Sequence, residues 1–402
     1  DNVSIKEVFF DQPDGTLTLF EHPENIPRVE YDADGNRLGL LVEEQRVNLL
    51  IYSEDFSNAY WGKIGLVGDS LSAVNNTLTG SQNAYEMAEK ATNEVHGIRR
   101  LLAVTAGSTY TLSVFAKKSE NTLLALGAYS TTSNMVTAVF DLDSGTVARD
   151  AYEEGNLVAS QSASILEMGG GWYRCSLTFE STFSQNIRFF IYTAETSSVI
   201  TNADNYAYSG DGSSKLLLFG AQVEAGAFPT SYIKNEGTSS GVTRSADVAK
   251  IEVDQFGYNQ SEGTVVAEFD SNGSDGSDYP RVFALSNTSG SDLARFLINP
   301  TNTTTVSVIT SSSGVALTGW SGSISPNTAE TIALAIKQDS FAASLSGAST
   351  QTDASGNMPA KADLLAIGTQ TNLGNNYLNG HIKSIKYYPR RLSDAQLVEL
   401  TS

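Results

Sequence analysis

Residues 108–118, STYTLSVFAKK, decide the fold class. Side chains in this stretch alternate with a period near two, which is the period of a β-strand. The two alternating sets are Tyr110, Leu112, Val114 and Ala116, and Thr111, Ser113, Phe115 and Lys117. Stretches with the same chemistry follow, among them TLLALGAYS (122–130) and NIRFFIYTAE (186–195). Short strands at regular spacing, without a long amphipathic helix, predict an antiparallel β-sandwich.

A second series of strand-like stretches begins after residue 245. GTVVAEFDS (263–271) is one of them, and IALAIKQDSFAASLSG (332–347) indicates a hairpin that turns at 338–340. Near the C-terminus, Ser393 and Gln396 have the spacing of a helix capping box in front of LVEL. The sequence therefore predicts an all-β chain with two tandem antiparallel sandwiches, a short N-terminal leader and a C-terminal helix.

Composition divides the chain into three predicted parts. Residues 1–47 form a leader, 48–235 the first sandwich and 236–402 the second, which opens with a small, polar linker at 236–244, EGTSSGVTR. A hairpin is expected in the leader around Asp34-Gly35. Because about 47 residues bury little core alone, the leader is expected to pack on the next domain, a partner subunit or a preceding domain. The first residues lack an initiator Met, which is typical of a fragment or a processed product.

Charge and cysteine content exclude several classes of protein. The chain has 25 basic and 45 acidic residues, a net charge of −20, with the acids spread evenly. This balance argues against nucleic acid and against an anionic membrane surface as partners. No apolar run approaches the ~18 residues of a membrane helix. A single cysteine, Cys175, excludes an internal disulfide and is expected to be buried.

Three segments carry a resemblance to known families. Residues 27–61, PRVEYDADGNRLGLLVEEQRVNLLIYSEDFSNAYW, resemble a segment of bacteriophage tail fibres and other virion-surface proteins that leads into a carbohydrate-binding-module-like jelly roll. Residues 169–179 and 216–233, GGGWYRCSLTF and LLLFGAQVEAGAFPTSYI, resemble later strands of that module. Residues 263–400 resemble the laminin-G-like, concanavalin-type lectin fold, most specifically in the ending KYYPRRLSDAQLVEL.

The resemblance implies a function and its partners. It implies a virion protein, in a tail fibre or similar appendage, that binds bacterial surface polysaccharide and contacts other virion proteins. It also implies a homo-oligomer, with a trimer favoured. A purely structural decoration or baseplate component is the alternative, and a polysaccharide-degrading enzyme is the second alternative.

The resemblance also implies a calcium site in the first module, where the first and last strands of similar modules lie close together. Calcium takes six to eight oxygen ligands. The candidate oxygens here belong to Ser53, Glu54, Asp55, Gln222 and Glu224. The alternative interpretation is that these are solvated acids at a strand end.

Aromatic residues in loops are candidates for stacking on sugar rings, beside amides that bind hydroxyl groups. In the first module the candidates are Trp61, Tyr60 and Asn58, while Trp172 is expected in the core. In the second module they are Tyr377, Asn375 and Asn376, and Trp320 is expected at the surface. An ordinary hairpin turn is the alternative for the second set.

The sequence favours binding without catalysis. A glycosidase needs two carboxylates about 5–10 Å apart, and the nearest string, Glu252-Val253-Asp254, has Gly257 where a second Glu would complete the pattern. Glu153-Glu154 lie in a loop-like stretch, and the GxSxG motif is absent.

Two further features have two interpretations each. The turns predicted at 208–214 and 271–278 could bind a cation or be ordinary turns. The basic group Lys383, Lys386, Arg390 and Arg391 could contact an acidic polysaccharide or be a solvated face.

Overall fold

Antiparallel β-sheet dominates the computed structural model of the chain, and the predicted fold class, all-β with one C-terminal helix, is confirmed. Among the described residues, no helix is long and apolar enough to cross a membrane. The structure describes residues 26–32, 34–131, 134–198, 206–272, 279–287, 292–299, 304–311, 314–316, 323–358, 361–369 and 376–402.

The described chain forms two compact units. The split unit contains residues 26–45 and 245–402, and the inserted unit contains residues 46–244. This division differs from the predicted one, because the end of the leader groups with the C-terminal strands.

Two strands at the end of the leader belong to the split unit: β1 (Val29–Tyr31) and β2 (Arg37–Val42). They pair with each other as the predicted hairpin around Asp34-Gly35. The Asp32 carboxylate closes the turn by accepting hydrogen bonds from the backbone N–H groups of Asp34 and Asn36 at 3.0 and 2.8 Å.

The inserted unit is a sandwich of two six-stranded antiparallel sheets, with the strand orders β12-β11-β10-β15-β8-β4 and β13-β14-β9-β17-β6-β5. Its strands are β3 (Arg46–Asn48), β4 (Gly62–Ile64), β5 (Ser72–Asn76), β6 (Ser81–Ala88), β7 (Asn93–Glu94), β8 (Gly97–Val104), β9 (Thr109–Lys118), β10 (Leu123–Thr131), β11 (Asn134–Asp141), β12 (Thr146–Glu154), β13 (Val158–Glu167), β14 (Trp172–Ser181), β15 (Gln185–Thr193), β16 (Tyr208–Ser209), β17 (Lys215–Ala225) and β18 (Val242–Arg244). A 3-10 turn covers Val67–Asp69.

The central strands of this sandwich follow the sequence pattern. Leu112 and Val114 on β9 and Leu124 and Leu126 on β10 are fully or almost fully buried in one core between the sheets. Cys175 on β14 lies in the same core, as expected, and burial raises the pKa of its thiol well above the usual range. The first and last strands, β3 and β18, pair antiparallel. Residues 242–244, which composition assigns to the linker, therefore form a strand.

The split unit is built from β1, β2 and eleven further described strands in sheets of seven and six strands, with the orders β1-β2-β29-β20-β25-β26-β27 and β19-β28-β21-β22-β23-β24. These strands are β19 (Ala249–Glu252), β20 (Glu262–Phe269), β21 (Arg281–Ser286), β22 (Asp292–Ile298), β23 (Thr304–Ser311), β24 (Gly314–Ala316), β25 (Glu330–Lys337), β26 (Phe341–Leu345), β27 (Gln351–Asp353), β28 (Leu364–Ile367) and β29 (Gly380–Tyr388). A 3-10 turn covers Val253–Gln255.

The single described α-helix, α1 (Asp394–Thr401), ends the split unit. The predicted capping box is confirmed: the Ser393 side chain accepts from the N–H of Gln396, and the Gln396 side chain accepts from the N–H of Ser393. Leu397 packs against the outer side of β20, β25 and β26. The predicted hairpin at 338–340 is confirmed by the pairing of β25 with β26.

The pairing of β2 with β29 joins the two ends of the described chain. Leu40 lies opposite Ile382, and Val42 opposite Gly380. Gly39 adopts φ +135°, and a Cβ atom at this position would lie 2.5 Å from the carbonyl oxygen of Ile382. The leader thus packs on the C-terminal strand, a partner that the sequence alone did not single out.

Ion pairs reinforce this junction. Arg28 donates to Glu43 at 2.9 Å and also contacts Asp247, which follows the return of the chain into the split unit. His381 on β29 lies between Asp270 at 2.9 Å and Glu30 on β1 at 3.1 Å. Burial alone would lower the pKa of His381, but hydrogen bonds and charge from the two carboxylates raise it to about 9.

We expect Gly39→Ala to lower the free energy of unfolding by about 2 kcal/mol or more, because it combines an unfavourable φ with a backbone clash. Urea unfolding at pH 7 measures this effect. Gly35→Ala is the matched control, since its φ is +81° but nothing lies within 4 Å of the added atom. A cost at Gly39 no larger than at Gly35 would contradict the close approach of β2 and β29.

The raised pKa of His381 predicts a pH dependence of stability. The charged imidazolium stabilises the folded state fully below the ordinary pKa of 6.5, and this contribution is lost as pH rises to about 9. We expect the free energy of unfolding to fall by about 2 kcal/mol across this window. In His381→Gln the slope should disappear. An unchanged slope in the variant would assign the titration to another group.

Candidate functional site

The predicted calcium region of the inserted unit is a buried network of protein hydrogen bonds. Ser53 is buried; its hydroxyl lies 2.7 Å from that of Tyr232 and accepts from the Asn235 N–H at 2.8 Å. Ser53 therefore links the loop after β3 to the segment that follows β17.

Glu224 is the buried carboxylate of this network. It accepts from the N–H and the hydroxyl of Thr230 at 2.8 and 2.7 Å, and from the Gln222 amide at 2.8 Å. The guanidinium of Arg46 lies 3.9 Å away and supplies a compensating charge. Gln222 also accepts from the N–H of Ile233 at 2.7 Å. Both side chains are fully buried and hold the segment after β17 against the sheet.

The other two predicted ligands have separate partners. Asp55 accepts from the N–H of Ser57 at 3.1 Å and from the hydroxyl of Tyr85 at 3.2 Å. Glu54 pairs with Lys234 at 3.4 Å. Within the described ranges, no three His, Cys, Asp or Glu side chains form a group that could hold a metal. The donor set does not fit calcium, and calcium binding stays a prediction without support from the geometry.

The structure places Trp61 in the core rather than at the surface. Its side chain is 4 % exposed, its indole N–H donates to the carbonyl of Tyr52 at 3.1 Å, and its ring meets Phe56 edge-on at 5.3 Å. The prediction of an exposed platform is wrong here, because a partner nine residues earlier satisfies the indole. Trp172 is buried as predicted, and its indole N–H donates to Thr77 at 3.0 Å.

The second predicted platform, Tyr377, is also buried, with 4 % exposure. Burial raises the pKa of its hydroxyl. Asn376 has a positive φ of 70° and accepts from the N–H of Tyr279 at 2.9 Å, so its amide serves the loop. The interpretation as an ordinary turn therefore fits Tyr377 and Asn376 better than an exposed sugar site. Asn375 and Trp320 lie outside the described residues.

Tyr60 and Asn58 are the predicted sugar-binding residues that stay partly exposed. The Arg100 guanidinium lies 3.9 Å from the centroid of the Tyr60 ring and donates to the Tyr60 carbonyl at 2.9 Å. Lys63 donates to the Asn58 carbonyl at 2.8 Å. The Arg100 guanidinium over its ring therefore leaves Tyr60 without a free aromatic face for a sugar on that side.

A second basic feature lies on the neighbouring sheet face. We call Arg99, Leu101, Tyr129 and Arg188 the arginine face. In the register of β8, β15 and β10, Arg188 lies opposite both Leu101 and Tyr129. Ile98, Ile191 and Leu126 point into the main core, so the arginine face lies on the other side of the sheet.

Tyr129 organises the arginine face. Arg99 donates to its hydroxyl at 2.9 Å, and the Arg188 guanidinium lies 5.9 Å from its ring centroid. Arg188 is exposed, Arg99 is partly exposed and Leu101 is 44 % exposed. Sequence reasoning missed this face, although arginine within the otherwise apolar strands GIRRLL and NIRFF was a usable signal.

The remaining candidates are engaged in structural contacts. Lys383 pairs with Glu268 at 2.8 Å and Arg391 with Asp394 at 2.6 Å, so the C-terminal basic group is partly neutralised. The turn at 208–214 is a plain turn in which Asp211 accepts from the N–H groups of Ser213 and Ser214. Most of the turn at 271–278 lies outside the described residues.

The carboxylates considered for catalysis also make structural contacts. Glu153 accepts from the N–H of Leu157 at 3.0 Å, and Glu154 accepts from the Tyr152 hydroxyl at 2.8 Å. Glu252 ends strand β19 beside Lys250 at 3.4 Å, and Asp254 lies in the following 3-10 turn.

Comparison with known proteins gives only remote structural similarities. No family model matches the chain, and no curated protein matches it. The carbohydrate-binding module CBM40 of a Ruminococcus gnavus sialidase, bound to α2,3-sialyllactose, is similar over 36 % of this chain and 84 % of that one, at 13 % identity and a TM-score of 0.31. Mouse laminin α1 domains LG4-5 are similar over 87 % and 94 %, at 8 % identity and a TM-score of 0.28. At such TM-scores the similarities carry no argument, and the fold class rests on the strand pairing.

We expect Glu224→Ala to cost about 3 kcal/mol of unfolding free energy, because it leaves Thr230 and Gln222 without their buried acceptor and removes the negative charge beside Arg46. Urea unfolding measures the loss, and the exposed Glu236→Ala is the control. The melting temperature of the unaltered protein should be the same in excess calcium and in chelator. A calcium-dependent rise that Glu224→Ala abolishes would reinstate the metal site.

Proposed function

We propose that this chain is a non-catalytic glycan-binding protein of a bacteriophage virion, in a tail fibre or similar appendage. The observation that carries the binding part is the surface of the inserted unit, where the arginine face presents two guanidinium groups and an exposed leucine above the buried Tyr129. Hydroxyl-rich ligands with C–H faces use such a mixture of donors and apolar contacts. The virion assignment rests on the resemblance of residues 27–61 to phage proteins.

The state of the carboxylates supports binding without cleavage. A glycosidase needs a general acid whose pKa is raised. Among the described residues, hydrogen bonds to the charged form instead lower the pKa of several carboxyl groups: the Asn36 amide lowers the pKa of Asp32, and the Arg391 N–H lowers that of Glu262. Hydrogen bonds from Ser214 do the same for Asp211.

Display in several copies would raise the strength of attachment. A shallow surface site binds a single sugar weakly, and several sites on one oligomer gain by avidity. A homo-oligomer, with a trimer favoured, in contact with other virion proteins therefore belongs to the proposal.

A structural spacer is the second candidate function. The burial of Trp61 and Tyr377 favours it, because the two aromatic side chains best suited by sequence to bind sugar serve the cores instead.

We expect the purified protein to bind host cells and their isolated surface polysaccharide and to release no reducing ends during prolonged incubation. Binding is measured by cell pull-down and biolayer interferometry, and cleavage by a reducing-sugar assay. Protein unfolded by heat is the control for non-specific adhesion. Absence of any interaction with host glycan would favour the spacer, and accumulation of reducing ends would favour the enzyme.

A further inference from the structure

We propose that the arginine face binds the carboxylate of an acidic sugar, so that the glycans recognised are anionic. This inference rests on the proposed function and specifies its ligand class. It is argued from the charges and contacts of Arg99, Arg188 and Tyr129.

Two guanidinium groups converge on one phenol. Arg99 lies on β8 and Arg188 on the neighbouring strand β15. Arg188 lies opposite Leu101, which is two residues after Arg99. Such diagonal neighbours are about 7–8 Å apart, within reach of long side chains. The Arg99 hydrogen bond and the Arg188 ring contact hold both side chains at Tyr129. Their mutual repulsion is relieved when an anion binds between them.

Neither arginine has a carboxylate partner among the described residues, although the chain carries 45 acidic residues. Other cations of the inserted unit do: Lys215 lies 2.8 Å from Glu86, and both Lys90 and Lys118 contact aspartates. Within the described ranges, the lysines named here are paired with acids and the two arginines are not.

The charged groups of β12 on the same sheet face lie too far away to act on the arginine face. Arg149 on β12 is 8 % exposed, donates to the Ser198 carbonyl at 2.7 Å and contacts the Tyr206 hydroxyl. The nearest acid in register on this face is Glu154, opposite Met135 on β11. It lies three strands from β15, which is about 14 Å at the usual strand spacing. This distance exceeds the screening length of about 8 Å at physiological salt.

The chemistry of the face favours a carboxylate over the neutral hydroxyl groups of a sugar. A guanidinium fork matches the two oxygens of a carboxylate and makes paired, charge-assisted hydrogen bonds. A neutral hydroxyl group takes only one such bond. Leu101, which lies opposite Arg188, offers its exposed side chain to the C–H face of the same sugar ring.

The test uses a glycan array on which each acidic glycan is printed as the free acid and as its methyl ester, together with neutral glycans. We expect the free acids to bind at least about tenfold more tightly than their esters, with affinity falling as salt is raised. Arg188→Gln should weaken binding to the acids about tenfold, and Arg188→Lys should weaken it less. Arg37→Gln, the same charge change at an exposed position of the split unit, should bind like the unaltered protein.

The outcomes separate this inference from the proposed function. Equal binding of acids and esters, or acid binding that Arg188→Gln leaves unchanged, overturns the inference while glycan binding stands. Absence of binding to every printed glycan overturns the proposed function itself. Because the Arg188 side chain is exposed, its variants should keep their melting temperature. A variant that unfolds is replaced by Leu101→Asp, whose added negative charge should likewise reduce binding to the acids.

Discussion

The antiparallel pairing of β2 with β29 is the constraint on which the organisation of the chain depends. It fixes the end of the leader to the C-terminal strand, so residues 46–244 leave the split unit and return to it. The pairing of β3 with β18 then brings the incoming and outgoing ends of the inserted unit side by side. Because both of these ends are fixed in sheets, the inserted unit closes its own core. The ion pairs of Arg28 and His381 add charge interactions to the same junction.

Features that depend on nearby residues could be predicted from the sequence. The hairpin at Asp34-Gly35, the hairpin at 338–340 and the capping box of Ser393 are all set within a few residues, so composition and spacing identify them. The partner of β2 could not be predicted, since strand pairing over such a separation depends on the whole sheet. The strand at 242–244 was missed for the same reason: its partner β3 lies at the other end of the inserted unit.

The surroundings of the candidate site residues could not be predicted from the sequence. A tryptophan after tyrosine in a polar loop looks exposed, but Trp61 finds its acceptor at Tyr52 and its packing partner at Phe56. The oxygens of Glu224 and Gln222 look like metal ligands until the donors of Thr230 and Ile233 are in place. The arginine face exists only because the register of β8, β15 and β10 brings Arg99 and Arg188 to Tyr129. The arginine face depends on strand register, whereas Trp61 and Glu224 are decided by partners five to nine residues away whose side-chain geometry the local pattern does not give.

The central claim is that the arginines of the inserted unit bind the glycan directly. NMR of the arginine side-chain Nε–Hε groups, during titration with a carboxylated saccharide that binds the protein, tests it most directly. The account predicts saturable shifts for Arg99 and Arg188, with Arg37 unchanged. Saturable shifts confined to the split unit, or none at any arginine while binding proceeds, would contradict it.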